Sequence, residues 1–198
     1  MPRISLTDFV DVISKSGTSK ASKVESIKTR EPYSPATDFY KGIREAIIEL
    51  IEKDTSKDTL DNAISKASAK RKVHYQEAAQ GAKKWMNNKN IEWFHPPKGT
   101  YGNGNIDVNV NPEIGAYING IPHLIKLYFK ADSLPKSHAR ISTHLMKSCL
   151  ENDCPEGTTM SILDVKRGKM INYETPNDKL DAALKGELAY IESLWEDI

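Results

Sequence analysis

The chain has 198 residues, of which 38% are hydrophobic and 28% charged, with a formal net charge of +1. That length and balance fit one globular domain with its own core. No apolar run approaches the roughly 18–20 residues that span a bilayer, and Asp8 and Asp11 interrupt the apolar part of the N-terminus, which argues against a secretory signal. The expected setting is therefore the cytoplasm, with no membrane partner.

Residues 5–14 read as a short helix, with Leu6, Phe9, Val10 and Ile13 at helical spacing and Ser5 as its cap. Residues 15–33 are rich in Ser, Lys and Thr and short of apolar residues, so they read as an extended, flexible arm that either stays mobile or drapes over the domain. Ser34 caps and Pro35 starts the next predicted helix, which puts Phe39, Ile43, Ile47, Leu50 and Ile51 on one face. Further helical stretches run from about Asp58 and from about Lys70 to Asn87. Ser68 or a break nearby separates them, or one helix runs through.

At residue 91 the period changes to that of strands. "IEWFH" is a short strand ended by Pro96-Pro97. "KGTYGNGN" reads as a glycine-rich loop without the lysine and hydroxyl of a phosphate loop. In "IDVNV", Ile106, Val108 and Val110 alternate with Asp107 and Asn109. A helix follows over "SLPKSHARISTHLMKSCLEND", with Ser133 at its cap and Pro135 in its first turn. Residues 158–173 read as a strand, a turn at Arg167-Gly168 and a return strand. Thr175 and Pro176 start a closing amphipathic helix with Leu180, Leu184, Leu188, Ile191 and Trp195 inward. Cys149 and Cys154 read as reduced thiols, because His144 alone does not complete a zinc spacing. The order predicts an α/β (α+β-like) fold: a central mixed sheet of about five strands with an antiparallel hairpin, helices packed on it, and a helical N-terminal region. Residues 1–33 form the N-terminal part and 34–198 a single α/β domain.

The hairpin is the best-specified element. Asn119-Gly120 is the pair a type I′ turn demands, and a two-residue loop sets the register. Ile118 then faces Ile121, Ala116 faces His123, Ile114 faces Ile125, and Glu113 falls beside Lys126. Ile114, Ala116, Ile118, Ile121, His123, Ile125, Leu127 and Phe129 make a core face. Glu113, Gly115, Tyr117, Pro122, Leu124, Lys126, Tyr128 and Lys130 make a semi-polar face. Glu113 and Lys126 form either a cross-strand ion pair or a catalytic pair able to hold a divalent metal.

These residues carry a resemblance. A helix, an acid after proline (Pro112-Glu113), a hairpin, an apolar strand ending its motif in Lys126, a helix and a strand resemble the PD-(D/E)XK nuclease superfamily over roughly residues 70–166. The resemblance implies a metal-dependent nuclease fold, magnesium or manganese if active, Glu113 as a metal-binding carboxylate and Glu113 with Lys126 as the catalytic pair. Leu124 departs from the pattern, since it stands where the second metal-binding acid belongs. Asp107 and Glu77 are the acids that migration would bring into the site; otherwise the domain binds or scaffolds. Asp164 and Lys166 spell the motif again after Pro155-Glu156, but an extended stretch holds Glu156 and Asp164 on the order of 25 Å apart. They stand as the runner-up pair.

Charge is uneven. Residues 66–89 carry seven Lys/Arg against one Glu, and residues 174–197 carry seven acids against two lysines. Lys70, Arg71, Lys72, Lys83 and Lys84 are the expected phosphate contacts of a nucleic-acid partner, on an exposed basic helix. The functional reading is a nucleic-acid-binding or nucleic-acid-processing domain, active or degenerate. The alternatives are a non-enzymatic adaptor and an unrelated hydrolase using His123, His138 or His144. The six-residue spacing of the last two puts them on different helix faces.

Overall fold

Ser5 closes a short strand, β1 (Arg3–Ser5), and its hydroxyl accepts the Asp8 N–H to cap α1 (Leu6–Ile13). The computed structural model describes residues 2–102, 104–173 and 178–197. The expected extended arm is instead largely a helix, α2 (Gly17–Lys28), although Val24 is its only fully buried residue. Long-range polar contacts hold it in place. Lys20 lies 2.7 Å from Glu187, Lys28 donates to the Trp195 carbonyl at 2.7 Å, and Lys23 and Arg30 both pair with Asp8.

The next helix starts later than its cap signals predict. Ser34 and Pro35 open a turn closed by the Thr37 N–H on the Ser34 carbonyl at 3.0 Å. Proline suits the second position of such a turn as well as the first turn of a helix. The helix α3 (Lys41–Glu52) then buries Ile43, Ile47, Leu50 and Ile51. Two separate helices follow, α4 (Asp58–Ser65) and α5 (Ala69–Met86), with Ser68 at the N-cap of the second.

The strands divide between two sheets. β2 (Ile91–Phe94) is followed by β3 (Gly99–Gly102), a strand where a loop was expected, with Tyr101 tilted against Phe9 at 6.4 Å. β4 (Asp107–Val110) does not join the hairpin sheet. It lies parallel to β1 and antiparallel to β3, in a three-stranded sheet of order β1-β4-β3. Burial of Ile106, Val108 and Val110 follows the predicted alternation, but β1, far away in sequence, supplies the partner.

The hairpin itself matches its predicted register. β5 (Ile114–Ile118) and β6 (Ile121–Tyr128) pair Ile118 with Ile121, Ala116 with His123 and Ile114 with Ile125. Asn119 and Gly120 take φ of 51° and 85°, the two left-handed residues of a type I′ turn. Ile121, expected in the core, is exposed beside that turn. The helix α6 (Lys136–Leu150), with Pro135 at its N-cap in place of Ser133, provides the crossover that joins β6 to parallel β7 (Thr159–Asp164). β8 (Lys169–Asn172) returns antiparallel, which completes a five-stranded mixed sheet of order β2-β5-β6-β7-β8.

Both faces of this sheet are covered. One packs Ile114, Ala116, Ile125, Leu127 and Leu163 on α3, α4 and α5. The other faces a second core that joins Leu124 and Met160 to α1, α2, α6, the small sheet and α7 (Asp178–Asp197). Leu184, Leu188 and Ile191 of α7 are buried there, as their spacing predicts; the expected cap at Thr175 and Pro176 lies outside the described residues. The fold is thus mixed α/β, with a five-stranded sheet between helical layers. Among the described residues, no helix is long and apolar enough to cross a membrane.

Candidate functional site

Glu113 sits one residue before β5, where the ladder continues through its own N–H to the Ile125 carbonyl at 3.0 Å. That bond aims its side chain along β6. One carboxylate oxygen, Oε1, accepts from Lys126 Nζ at 2.6 Å, and the other, Oε2, accepts the Leu127 N–H at 2.8 Å. Lys126 also donates to the Asn111 carbonyl at 2.9 Å. Both side chains are only 17% exposed. The predicted neighbours do meet, and they form a closed ion pair.

A divalent cation does not fit these residues. Magnesium wants several oxygen ligands in fixed geometry. Here it would have to displace an ammonium and a backbone N–H from the one carboxylate. Leu124 offers no oxygen and is fully buried, opposite Met160 in the second core. The two acids expected to migrate in are engaged elsewhere. Asp107 lies on the small sheet, 3.8 Å from the Arg3 guanidinium, and Glu77 lies on α5, 2.9 Å from Lys166. Among the described residues, no group of three or more His, Cys, Asp or Glu side chains is arranged to hold a metal.

The runner-up pair is split as well. Asp164 is 2% exposed and accepts the Leu134 N–H at 3.2 Å, with Arg167 at 3.3 Å. Lys166 turns to the opposite side, toward α5. There the backbone approach is so close that a Cβ on Gly81 would lie 1.9 Å from the Val165 carbonyl oxygen; only glycine lets the helix pass. Lys166 donates to Glu77 at 2.9 Å, lies 3.3 Å from His74 Nδ1 and sits 5.6 Å from the centre of the Tyr40 ring. Tyr40 in turn stacks on Phe129 at 5.1 Å. Burial works against the Lys166 cation, but its bonds to Glu77 and Tyr40 outweigh that and raise its pKa. The same hydrogen bond from Lys166 holds the Glu77 carboxyl below its usual range. Lys166 is thus a structural cation at neutral pH. Sequence reasoning picked out Glu77 and Lys166 for different sites and missed His74 and Tyr40; the three-residue spacing of His74 and Glu77 on one helix was the available signal.

Along α5, the five basic residues fall into two sets. Lys70, Lys72 and Lys84 are exposed and have no side-chain partner among the described residues. Arg71 is half-buried, donating to the Ala36 carbonyl at 3.0 Å and lying 5.5 Å from the Phe39 ring centre. Lys83 is held by Asp61 at 2.9 Å. The expectation of five free phosphate contacts is therefore reduced to three, because the loop before α3 and the side of α4 claim the other two.

The histidines are dispersed. His123 is buried as predicted, 3.1 Å from the Ser161 hydroxyl, and burial lowers its pKa. His144 bonds Asp181 of α7 at 2.6 Å and stacks on Tyr173, while burial lowers the pKa of His138 against the opposing pull of Asp11. Burial pushes the Cys149 thiol up to about 11 and raises Cys154 too, so neither is poised as a thiolate nucleophile.

No protein-family model matches the chain, and no match to a curated protein reaches significance.

Proposed function

We propose that this chain is a nucleic-acid-binding domain with the layout of the PD-(D/E)XK nucleases and without their metal chemistry. The observation that carries the reading is that Lys70, Lys72 and Lys84 of α5 are exposed with no carboxylate partner among the described residues. Exposed lysines without a carboxylate partner neutralise phosphates and release counterions on binding. The order α5, β2, β5, β6, α6, β7, with β6 and β7 parallel, is compatible with the proposed layout. Binding is favoured over cleavage because both Glu113 oxygens are engaged and Leu124 fills the place of the second acid.

The test is fluorescence anisotropy with a labelled DNA duplex across a salt series, run beside a cleavage assay with magnesium and with manganese. Three phosphate contacts give a slope of about −3 in log K against log salt. Lys70→Glu with Lys72→Glu should flatten that slope and weaken binding for every sequence alike. Affinity unchanged by the double reversal refutes the binding face, and metal-dependent cleavage lost in Glu113→Ala refutes the non-catalytic reading.

A further inference from the structure

Between the start of α6 and the β7–β8 turn lies a groove of about 800 Å³, within the range of pockets that hold small ligands. Its rim is cationic. Lys136 and Arg140 come from α6 and Lys169 from β8. All three are exposed, and their side chains have no partner among the described residues. Among the described residues, the one carboxylate lining the groove is Asp164, already matched by Arg167, which also donates to the Ala131 carbonyl at 2.7 Å. Three unpaired positive charges therefore face a space with no free acid among the described residues. The floor differs in character: Leu134 is buried, and Ile171, packed against the same small cluster, is half-buried.

An apolar floor under a rim of converging cations fits an anion with a flat or apolar body. We propose that the groove binds a phosphorylated ligand of nucleotide size, its phosphate held by Lys136, Arg140 and Lys169 and its base on Leu134 and Ile171. Arginine and lysine together favour phosphate, the first through its planar fork and the second as a mobile point charge. This inference rests on the nucleic-acid reading and extends it. The Lys84 stem packs against Gly168, its Cβ 3.3 Å from where a Gly168 Cβ would stand, and Lys169 follows at once. The C-terminal end of α5 and the groove thus meet at the β7–β8 turn, so a strand held by Lys84 lies beside the groove.

The experiment uses the full chain, thymidine 5′-monophosphate, thymidine and a short labelled single strand of DNA. Two variants are compared with wild type: Arg140→Glu with Lys169→Glu in the groove, and Lys70→Glu with Lys72→Glu on α5. All four side chains are exposed or nearly so, and a thermal melt checks that both variants fold. The monophosphate should shift backbone amide signals of residues 133–140 and 167–172, bind at least about tenfold more tightly than thymidine, and lose at least about tenfold in affinity in the groove variant only. A parallel loss for the single strand identifies the strand as the source of the phosphate; an unchanged strand identifies a free nucleotide. Equal monophosphate affinity in wild type and groove variant, or no shift in those amides, overturns the proposal. If strand binding then still falls in the α5 variant, the groove fails alone. If it does not, the nucleic-acid reading falls with it.

Discussion

Glu113 should matter to stability rather than to chemistry. Replacing it with alanine removes two charge-assisted hydrogen bonds, to Lys126 at 2.6 Å and to the Leu127 N–H at 2.8 Å. Lys126 keeps the Asn111 carbonyl, but the N–H of Leu127, a residue only 6% exposed, has its partner in Glu113 Oε2. A hydrogen bond to a charged group contributes about 1.5–3 kcal/mol, and an unsatisfied buried donor costs about 1–3 kcal/mol. The pair is partly shielded from water at 17% exposure, so a loss of about 3 kcal/mol is expected for Glu113→Ala. Glu113→Gln retains a carbonyl oxygen for one of the two donors and should lose about 1–2 kcal/mol. Urea denaturation measures both, and in a domain of this size the alanine variant should melt roughly 6–12 °C lower. A double-mutant cycle with Lys126→Met should show coupling of about 1 kcal/mol or more. An alanine variant as stable as wild type would refute the structural role, most sharply if it had also lost a nuclease activity.

Two further outcomes follow from the packing. Leu124→Ala should cost about 2–5 kcal/mol, and Leu124→Asp more, because a carboxylate in the second core lacks both water and an oxygen-rich neighbourhood. The aspartate variant should gain no cleavage with magnesium or manganese; a stable Leu124→Asp protein that cuts DNA would show that the site is open. Acid should weaken the fold through His123. Burial puts its folded pKa below the unfolded value of 6.5, so the unfolded chain takes up the proton first. Stability is fully present above that value and is lost as pH falls through the folded one. Denaturant midpoints should therefore drop from about pH 7 to about pH 5, and His123→Gln should flatten part of that slope, with His138 contributing the same sign.

The sequence by itself determined those elements whose cause is local. Asn119-Gly120 forces positive φ at two residues, so the hairpin register and the meeting of Glu113 with Lys126 are legible without any tertiary information. The stripes of α3 and α7 are legible for the same reason, since 3.6-residue periodicity is a property of the chain. What the residues outside each element do was not legible. The stretch 17–28 carries one buried side chain, and its helix is held by Glu187, Trp195 and Asp8 across from it. β4 alternates as predicted but pairs with β1, about a hundred residues away, and so carries Asp107 off to Arg3. Leu124 lies on the face that holds Lys126, as alternation requires, yet whether that face is a cleft or a core depends on α1, α6 and the small sheet closing over it. Glu77 and Lys166, chosen for separate reasons, become one ion pair because Gly81 lets α5 touch the end of β7. Periodicity tells a side chain which way to point; only the assembled layers decide whether it meets water, a partner or another core, and that difference in surroundings is what separates a metal ligand from a structural ion pair.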